Sequence, residues 1–360
     1  MANKSARLGD LATYINGYAF KPADWGDTGL PIIRIQDLTG NSYQLNRYDG
    51  EYPERIEVNN GDVLISWSAS LGVYVWQRGK ALLNQHIFKV VFDKLPVNKD
   101  YFVFAVEQKL AEMESKTHGA TMKHIVKKDF DGTTIPYPPI EKQAEIADHL
   151  RRITSLIDRQ TEQLLLLDQL VKSRFIELFG DCDLTHPQES WVTIKEIGSV
   201  VGGATPKTDH DEYWGGSYRW ITPAELDADS GYIYDSVRKL TKAGVESCSL
   251  QEMPVGTVIL SSRAPIGKVA IAGNTFYCNQ GFKNIICKEG ITPRYLYTVL
   301  LLNVEYLNSL GRGATFKEIS KGIVESIRIP VPSMELQEQF AAFVEQTDKS
   351  KLCGMMEVAA

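Results

Sequence analysis

Two loops of the chain carry side chains that suit binding to phosphate groups. Each loop follows a Gly-Ala step, and the residues are Thr121, Lys123 and His124 in the first loop and Thr315 and Lys317 in the second. A hydroxyl group and a cation in such a loop can bind the phosphate oxygens of a nucleic acid. The same pattern is also compatible with an ordinary helix start in which the threonine is the N-cap. Both interpretations stay open at this point.

Further polar residues follow strand-like segments in each half of the chain. Arg263 is the best candidate for base reading, because a guanidinium fork matches the O6 and N7 edge of guanine, although a lone arginine is more often solvated or ion-paired. Gln85 and Gln280 occupy equal places and can either read adenine or hold a turn together, the structural role being favoured. The remaining candidates for DNA contact are Ser66, Trp67, Ser68, Ser262, Lys268 and Lys283. Tryptophans that could stack on bases, or simply be buried, are Trp25, Trp214 and Trp220.

Motifs for catalysis are not evident. Methyl transfer needs an S-adenosylmethionine loop and an Asn/Asp-Pro-Pro-aromatic motif, whereas Pro136-Tyr137-Pro138-Pro139 has a different order and predicts a stiff linker. The ATP-binding motif Gly-x-x-x-x-Gly-Lys-Ser/Thr does not occur in the sequence. The six histidines show no spacing typical of a metal site. An active site assembled from residues distant in sequence stays an alternative.

Composition places the chain among globular proteins with room for two domains. It has 360 residues, of which 43% are hydrophobic and 23% charged. No apolar run reaches the roughly 18 residues of a membrane span, and residues 1–10 lack the apolar core of a secretion signal. Five scattered cysteines without a Cys-x-x-Cys pair predict a reduced, cytoplasmic protein. The net charge of −6 does not exclude nucleic acid, because phosphate contacts depend on where Lys and Arg lie.

Four short motifs occur twice, in the same order and at nearly the same separation. Gly119-Ala120-Thr121 returns 194 residues later as Gly313-Ala314-Thr315. The other pairs are Ile135-Pro136-Tyr137-Pro138-Pro139-Ile140-Glu141-Lys142-Gln143 with Ile329-Pro330-Val331-Pro332-Ser333-Met334-Glu335-Leu336-Gln337, residues 61–66 with 256–261, and Asn84-Gln85 with Asn279-Gln280. Such a long period does not fit a solenoid repeat and instead predicts a duplicated domain. Two related modules are expected to recognise two related targets.

Each module is predicted to begin with short strands and to end with a helix. Strands are expected at 61–67, in a hairpin over 73–83, at 255–261 and at 269–276. The later helices are expected at 100–115, with Asp100 as N-cap, and at 294–310, with Thr292 as N-cap and Pro293 in the first helical position. The predicted fold class is therefore mixed α/β (α+β).

The segment between the modules predicts a coiled-coil helix. Residues 140–179 contain no Gly and no Pro. Ten positions follow an unbroken four-three spacing, and they are Ile146, Leu150, Ile153, Ile157, Gln160, Leu164, Leu167, Val171, Arg174 and Leu178. Eight of these ten are aliphatic, which is typical of a heptad seam. An amphipathic core helix is the alternative.

A second such helix begins after the second module but loses the pattern. Phe340 and Val344 occupy the places of Ile146 and Leu150, whereas a threonine and a lysine follow at the next two seam positions. The second helix is therefore predicted to be short or truncated. We expect the seam from Ile146 to Leu164 to be covered by Phe340 and Val344, or by a second copy of the chain. The seam over 167–178 is expected to find no partner within the chain.

This organisation resembles the specificity subunit of Type I restriction-modification enzymes. The motifs that carry the resemblance are residues 64–72 and 259–267, Asn279-Gln280-Gly281-Phe282, the two Gly-Ala-Thr loops, the two Ile-Pro-x-Pro joints, and Ser173-Arg174-Phe175-Ile176-Glu177-Leu178-Phe179-Gly180. The resemblance covers residues 7 to about 348. It implies target recognition domains at 1–139 and 181–333, a central conserved helix at 140–180, and a partial C-terminal helix at 334–360. The two helices would form an antiparallel coiled coil.

The resemblance also implies a function and partners. Each recognition domain would read one half of a bipartite double-stranded DNA target, and the helices would set the spacing. The subunit itself would have no catalysis and no cofactor, since S-adenosylmethionine and ATP are expected on partner subunits only. Those partners would be two methyltransferase subunits and the restriction motor-nuclease subunits, and a homodimer through the helix seam is a further option. The alternatives are a scaffold that binds proteins rather than DNA, and an enzyme with an unrecognised active site.

Overall fold

The computed structural model describes residues 4–41, 46–116, 127–226, 231–248, 250–313 and 317–359. The chain divides into two compact units, residues 1–158 and 159–360. The division falls inside one long helix, α5 (Ile140–Phe179), so both units include part of this helix.

The first unit consists of short strands followed by helices. Its described strands are β1 (Ser5–Arg7), β2 (Thr13–Asn16), β3 (Leu30–Ile33), β4 (Arg47–Tyr48), β5 (Glu57–Val58), β6 (Val63–Ser66), β7 (Gly72–Val75), β8 (Ala81–Leu83), β9 (Ile87–Val91) and β10 (Thr134–Pro136). Its described helices before α5 are α1 (Leu8–Leu11), α2 (Ile35–Leu38), α3 (Lys99–Lys116) and α4 (Lys127–Gly132).

The second unit repeats this order. Its described strands are β11 (Val192–Thr193), β12 (Gly198–Gly202), β13 (Trp214–Ile221), β14 (Tyr232–Ile233), β15 (Arg238–Leu240), β16 (Val258–Leu260), β17 (Val269–Ala272), β18 (Tyr277–Cys278), β19 (Lys283–Cys287) and β20 (Arg328–Ile329). Its described helices after α5 are α6 (Ile194–Ile197), α7 (Lys242–Ser247), α8 (Pro293–Leu302), α9 (Val304–Ser309), α10 (Lys321–Ser326) and α11 (Met334–Ala359).

The strands of the two modules pair in the same way. The main antiparallel sheet has the order β2-β9-β6-β7 in the first module and β12-β19-β16-β17 in the second, where β14 adds a parallel edge. In the smaller sheets β3 pairs in parallel with β8, and β13 pairs in parallel with β18. The first strand of each module pairs with its last, β1 with β10 and β11 with β20. The predicted mixed α/β (α+β) class and the shared fold of the two modules are confirmed.

The repeated Ile-Pro-x-Pro motif is explained by two buried glutamines. The amide of Gln143 donates to Pro138 O at 2.8 Å and its Oε1 accepts from Asn98 N at 3.0 Å. In the second module Gln337 donates to Pro332 O at 2.9 Å and accepts from Thr292 N at 2.7 Å. Since both glutamine side chains are buried, each holds the extended joint against the start of the preceding helix.

Helix α11 packs antiparallel to the C-terminal half of α5. The ring of Phe340 lies 5.3 Å from Phe175 and 5.6 Å from Phe179, measured between centroids. Further along α11, Lys351 forms an ion pair with Asp168, at an earlier position of α5. Because α11 has 26 residues and α5 has 40, α11 is the shorter partner.

The prediction for the helix seam was therefore wrong within a single chain. Ile153 and Ile157 are 53% and 47% exposed, rather than covered by Phe340 and Val344. The covered stretch is instead the one around Phe175, which was expected to lack a partner. The four-three pattern marks the apolar face of α5, but the antiparallel register of α11 decides which part of that face is covered.

Two local predictions also needed correction. The predicted hairpin over 73–83 is absent from the described structure, because β7 pairs with β6 while β8 pairs with β3 and β5. The N-cap of α3 is Asn98, whose Oδ1 accepts from Tyr101 N at 3.0 Å, and not Asp100. Thr292 does cap α8, accepting from Tyr295 N at 3.3 Å, although the helical stretch is interrupted at Asn303.

Candidate nucleic-acid interface

A buried serine at the end of β6 in the first module, and directly after β16 in the second, holds the loop that follows the strand. In the second module Ser261 Oγ donates to Pro265 O at 2.8 Å and accepts from Lys268 N at 2.9 Å. In the first module Ser66 Oγ donates to Ser70 O at 2.5 Å. Both serines are fully buried, so these hydroxyls fix the loop backbone that carries the neighbouring polar side chains.

Glu318 forms ion pairs with two basic side chains at this loop of the second module. Glu318 Oε2 lies 3.0 Å from Arg263 Nε, and Glu318 Oε1 lies 3.1 Å from Lys283 Nζ. Lys283 also donates to the hydroxyl of buried Ser262 at 3.3 Å. The Arg263 side chain is 46% exposed, whereas that of Lys283 is 14% exposed. Arg263 is therefore presented to solvent, whereas the more buried Lys283 holds the carboxylate of Glu318 with which Arg263 pairs.

The charge of Glu318 is maintained by these partners. Burial raises the pKa of Glu318, but the hydrogen bonds from Lys283 and Arg263 outweigh that effect and hold the pKa below its usual value. The ion pair with Arg263 uses Nε, so a bidentate contact to a base edge can be made with Nη1 and Nη2.

Two more cations lie on the same loop region. Arg312 and Glu318 exchange backbone hydrogen bonds at 3.1 and 3.0 Å, and both Arg312 and Lys317 are exposed. We call Arg263, Lys283, Arg312, Lys317 and Glu318 the cationic loop cluster. It contains four cations and one carboxylate, which favours a polyanionic ligand. Sequence reasoning missed Arg312. Its position directly before the Gly-Ala-Thr motif was a signal that could have identified it.

The other predicted residues of the second module have mixed settings. Lys268 is half-buried, and its ammonium donates to Leu226 O at 2.7 Å and to Pro223 O at 3.2 Å, which ties its loop to the turn Pro223–Glu225. Gln280 is exposed, and its Oε1 accepts from Thr205 Oγ1. The adjacent turn is held by Asn279, whose Oδ1 accepts from Gly281 N at 2.9 Å.

In the first module, Gln85 is exposed beside a similar turn. Asn84 Oδ1 accepts from Gln85 N at 2.8 Å, so the asparagine provides the turn contact. Trp67 is half-buried and stacks on Phe88 with 5.6 Å between ring centroids, and Ser68 is half-buried next to it. Thr121, Lys123, His124 and Thr315 lie outside the described residues. The structure thus brings together Arg263, Lys283 and Lys317, with no equivalent set described in the first module.

A stacked arginine in the second module was missed by sequence reasoning. The guanidinium carbon of Arg238 lies 3.5 Å from the ring centroid of Trp214 and 5.5 Å from that of Trp220. Both tryptophans were considered as stacking residues, but no sequence signal joined them to an arginine on β15, because the pairing of β13 with β15 is set by the fold. A cation held on an indole face keeps its N–H groups available at the ring edge.

The described residues were searched for metal-binding groups and for membrane-spanning helices. Their His, Cys, Asp and Glu side chains form no group of three that could hold a metal ion. Among the same residues, no helix is both long and apolar enough to span a bilayer.

A family model and two known proteins match this chain, and all three are described as Type I restriction specificity domains or subunits. The family model described as "Type I restriction modification DNA specificity domain" matches residues 3–167 and again 189–352. The specificity subunit of the Type I restriction enzyme MjaIX of Methanocaldococcus jannaschii is 43% identical over 185 residues, covering 50% of this chain and 43% of that protein. The EcoBI specificity subunit of Escherichia coli is 29% identical over 168 residues, covering 46% and 35%. This chain thus matches less than half the length of either relative.

Solved structures show the same fold. The S subunit of a Type I restriction-modification system from M. genitalium aligns with a TM-score of 0.59 at 14% identity, covering 99% of this chain and 92% of that one. A chain from a study of complex assembly and conformational transition of the type I R-M system aligns with a TM-score of 0.54 at 17% identity, covering 99% and 93%. Since the family model matches both modules, the chain belongs to the family of Type I restriction modification DNA specificity domains.

Proposed function

We propose that this protein is the DNA-reading subunit of a Type I restriction-modification enzyme, in which each module reads one half of a bipartite double-stranded target. The observation that carries the proposal is the cationic loop cluster, in which Arg263 is exposed on a loop that buried Ser261 holds in place. A rigid loop with exposed cations suits a sequence-reading surface, because phosphate contacts position the protein and base contacts specify the sequence.

Within that surface we assign different roles to different residues. Arg263 is proposed to read guanine, whereas Lys317 and Arg312 are proposed to contact phosphates. In the first module Gln85, Trp67 and Ser68 remain candidates, together with the Gly-Ala-Thr loops of both modules. The buried hydroxyls of Ser66 and Ser262, with Lys268 and Lys283, are proposed to hold the loops rather than to touch bases.

The remaining chemistry is assigned to partner proteins. We propose that two methyltransferase subunits and, in the full enzyme, the restriction motor-nuclease subunits dock on the protein, and that S-adenosylmethionine and ATP bind only to them. The exposed apolar face of α5, including Leu156 at 59% exposure, is a candidate docking surface. A second copy of the chain is the other candidate occupant of this face. Sedimentation of the purified chain, alone and with the methyltransferase, separates the two.

The division of labour between residues is testable with a panel of DNA duplexes. In the complex reconstituted with the methyltransferase, Arg263→Ala should cost about 1–3 kcal/mol at one base position of the half-site read by the second module. The half-site read by the first module should keep its preference. Lys317→Ala should instead weaken all sequences alike and reduce the slope of log affinity against log salt by about one.

Lys349→Ala on α11 is a matched control, since this lysine is exposed and pairs only with a neighbour on its own helix at 2.8 Å among the contacts described. It should change neither selectivity nor the salt slope. If Arg263→Ala weakened every duplex equally, Arg263 would position the DNA rather than read it. The absence of any DNA shift in the presence of the methyltransferase would instead favour the scaffold alternative, and binding of S-adenosylmethionine or ATP to the purified chain would favour the enzyme alternative.

A further inference from the structure

The segment between β14 and β15 presents an apolar side chain at its tip. Val237 is 87% exposed, more than any other large hydrophobic residue in the described ranges. A single exposed valine is common on protein surfaces and by itself indicates no function. The contacts that hold its backbone are therefore the more informative observation.

Two side chains fix the backbone around Val237. Glu225 Oε2 accepts from Val237 N at 2.7 Å, while Glu225 Oε1 accepts from Thr222 N at 2.9 Å. The hydroxyl of Ser236 accepts from Trp220 N at 3.1 Å and donates to Arg238 O at 2.8 Å, and this serine is buried. The valine is thus held in one position although its side chain contacts little. Ordering of this kind lowers the entropy cost of binding a ligand at the tip.

The same contacts join the valine segment to the cationic loop cluster. Lys268 on the Arg263 loop donates to Pro223 O in the turn Pro223–Glu225, which holds Val237, and to Leu226 O directly after that turn. Pro223 also lies close to Gly281, because a Cβ added to this glycine would be only 3.2 Å from the Cγ of Pro223. Gly281 O in turn accepts from Ser262 N at 2.8 Å. Because these loops contact one another directly, Val237 and Arg263 belong to one continuous loop layer of the second module.

Charged side chains flank Val237 in the sequence and on the neighbouring strand. Asp235 pairs with Arg219 at 3.2 Å and with Lys239 at 3.2 Å, and Arg238 is held on the face of Trp214. Three basic side chains and the two carboxylates of Asp235 and Glu225 therefore lie on or beside the segment that exposes this aliphatic group. In the major groove of DNA, phosphates line the edges and the 5-methyl group of thymine is the apolar feature of the base edges. The arrangement matches that pattern.

We propose that Val237 contacts the 5-methyl group of a thymine in the half-site read by the second module, while Arg238 contacts a neighbouring phosphate. The proposal rests on the proposed function and adds a residue that determines specificity. The small apolar tip discriminates thymine from cytosine by the methyl group, which Arg263 does not sense.

The proposal is tested by removing either the methyl group of the thymine or the methyl groups of the valine. After the duplex panel has defined the half-site, each of its thymines is replaced in turn by deoxyuridine. Binding by the reconstituted complex is then measured with the wild-type chain and with Val237→Ala. We expect one replacement to weaken wild-type binding about three- to tenfold, and Val237→Ala to weaken binding to the unmodified duplex by a similar factor. Combined, the two changes should cost little more than either alone.

The controls separate a local effect from a structural one. Val237→Thr keeps the branched shape and one methyl group, so it should retain most of the discrimination between thymine and deoxyuridine. A half-site that contains no thymine would overturn the assignment of Val237. So would a result in which the loss of binding from Val237→Ala multiplies independently with the loss from every single deoxyuridine replacement. Loss of all sequence preference in the wild-type complex would instead overturn the proposed function itself.

Discussion

Replacing Phe340 by alanine should lower the free energy of unfolding of the second unit by about 3–5 kcal/mol, the usual cost of deleting a fully buried aromatic ring. Phe340 is completely buried between Phe175 and Phe179 of α5, and Phe175 in turn stacks on Tyr295 of α8 with 5.7 Å between centroids. Removing the ring leaves a cavity at the point where α11, α5 and α8 meet. Urea unfolding, followed by hydrogen exchange of β16 and β17, measures the loss.

A control on the same helix tests whether the effect comes from packing. Leu352 is 60% exposed on α11, so Leu352→Ala should change stability by no more than about 0.5 kcal/mol. Equal effects of the two substitutions, or a cost below about 1 kcal/mol for Phe340→Ala, would mean that α11 does not pack on α5 as described.

Gln337→Ala should destabilise the same unit by several kcal/mol for a different reason. The side chain accepts from Thr292 N at 2.7 Å and donates to Pro332 O at 2.9 Å and to Gly290 O at 3.1 Å. Truncation leaves these three partly buried backbone groups without their side-chain partner, and a group that stays unsatisfied costs up to about 1–3 kcal/mol. The same unfolding experiment should therefore show an earlier transition.

Exposed Gln339 on the same helix provides the comparison for this substitution. Gln339→Ala should be nearly neutral, because its side chain is exposed. Gln337→Met, which keeps the volume but not the hydrogen bonds, should remain destabilising. Wild-type stability in Gln337→Met would show that the glutamine fills space rather than satisfying backbone groups.

The duplication was the part of the fold most accessible from sequence. Motifs in one order and at one shift required two related modules, and the heptad pattern required a long helix between them. The role of Gln143 and Gln337 was not visible, because their repeated position suggested a stiff joint but did not identify the groups 45 residues earlier in sequence to which they bond. Likewise, β8 pairs in parallel with distant β3, and the local pattern that predicted a hairpin over 73–83 carries no information about that partner.

Prediction of the candidate site was limited in a similar way. Arg263 was found because its chemistry stands out in a polar loop, but its partner Glu318 lies 55 residues away and came from the fold alone. Arg238 and Val237 have no distinctive local motif. Their setting depends on β13 and β15 lying side by side and on Glu225 reaching the backbone of Val237.

The pairing of each module's first strand with its last has an evolutionary consequence. Because β1 lies beside β10 and β11 lies beside β20, the two ends of each module meet at one point. A gene segment that encodes such a module can be duplicated or exchanged for a homologous one without displacing the helix that follows. New specificity can then arise by recombination between genes, rather than by the slow accumulation of compatible point mutations.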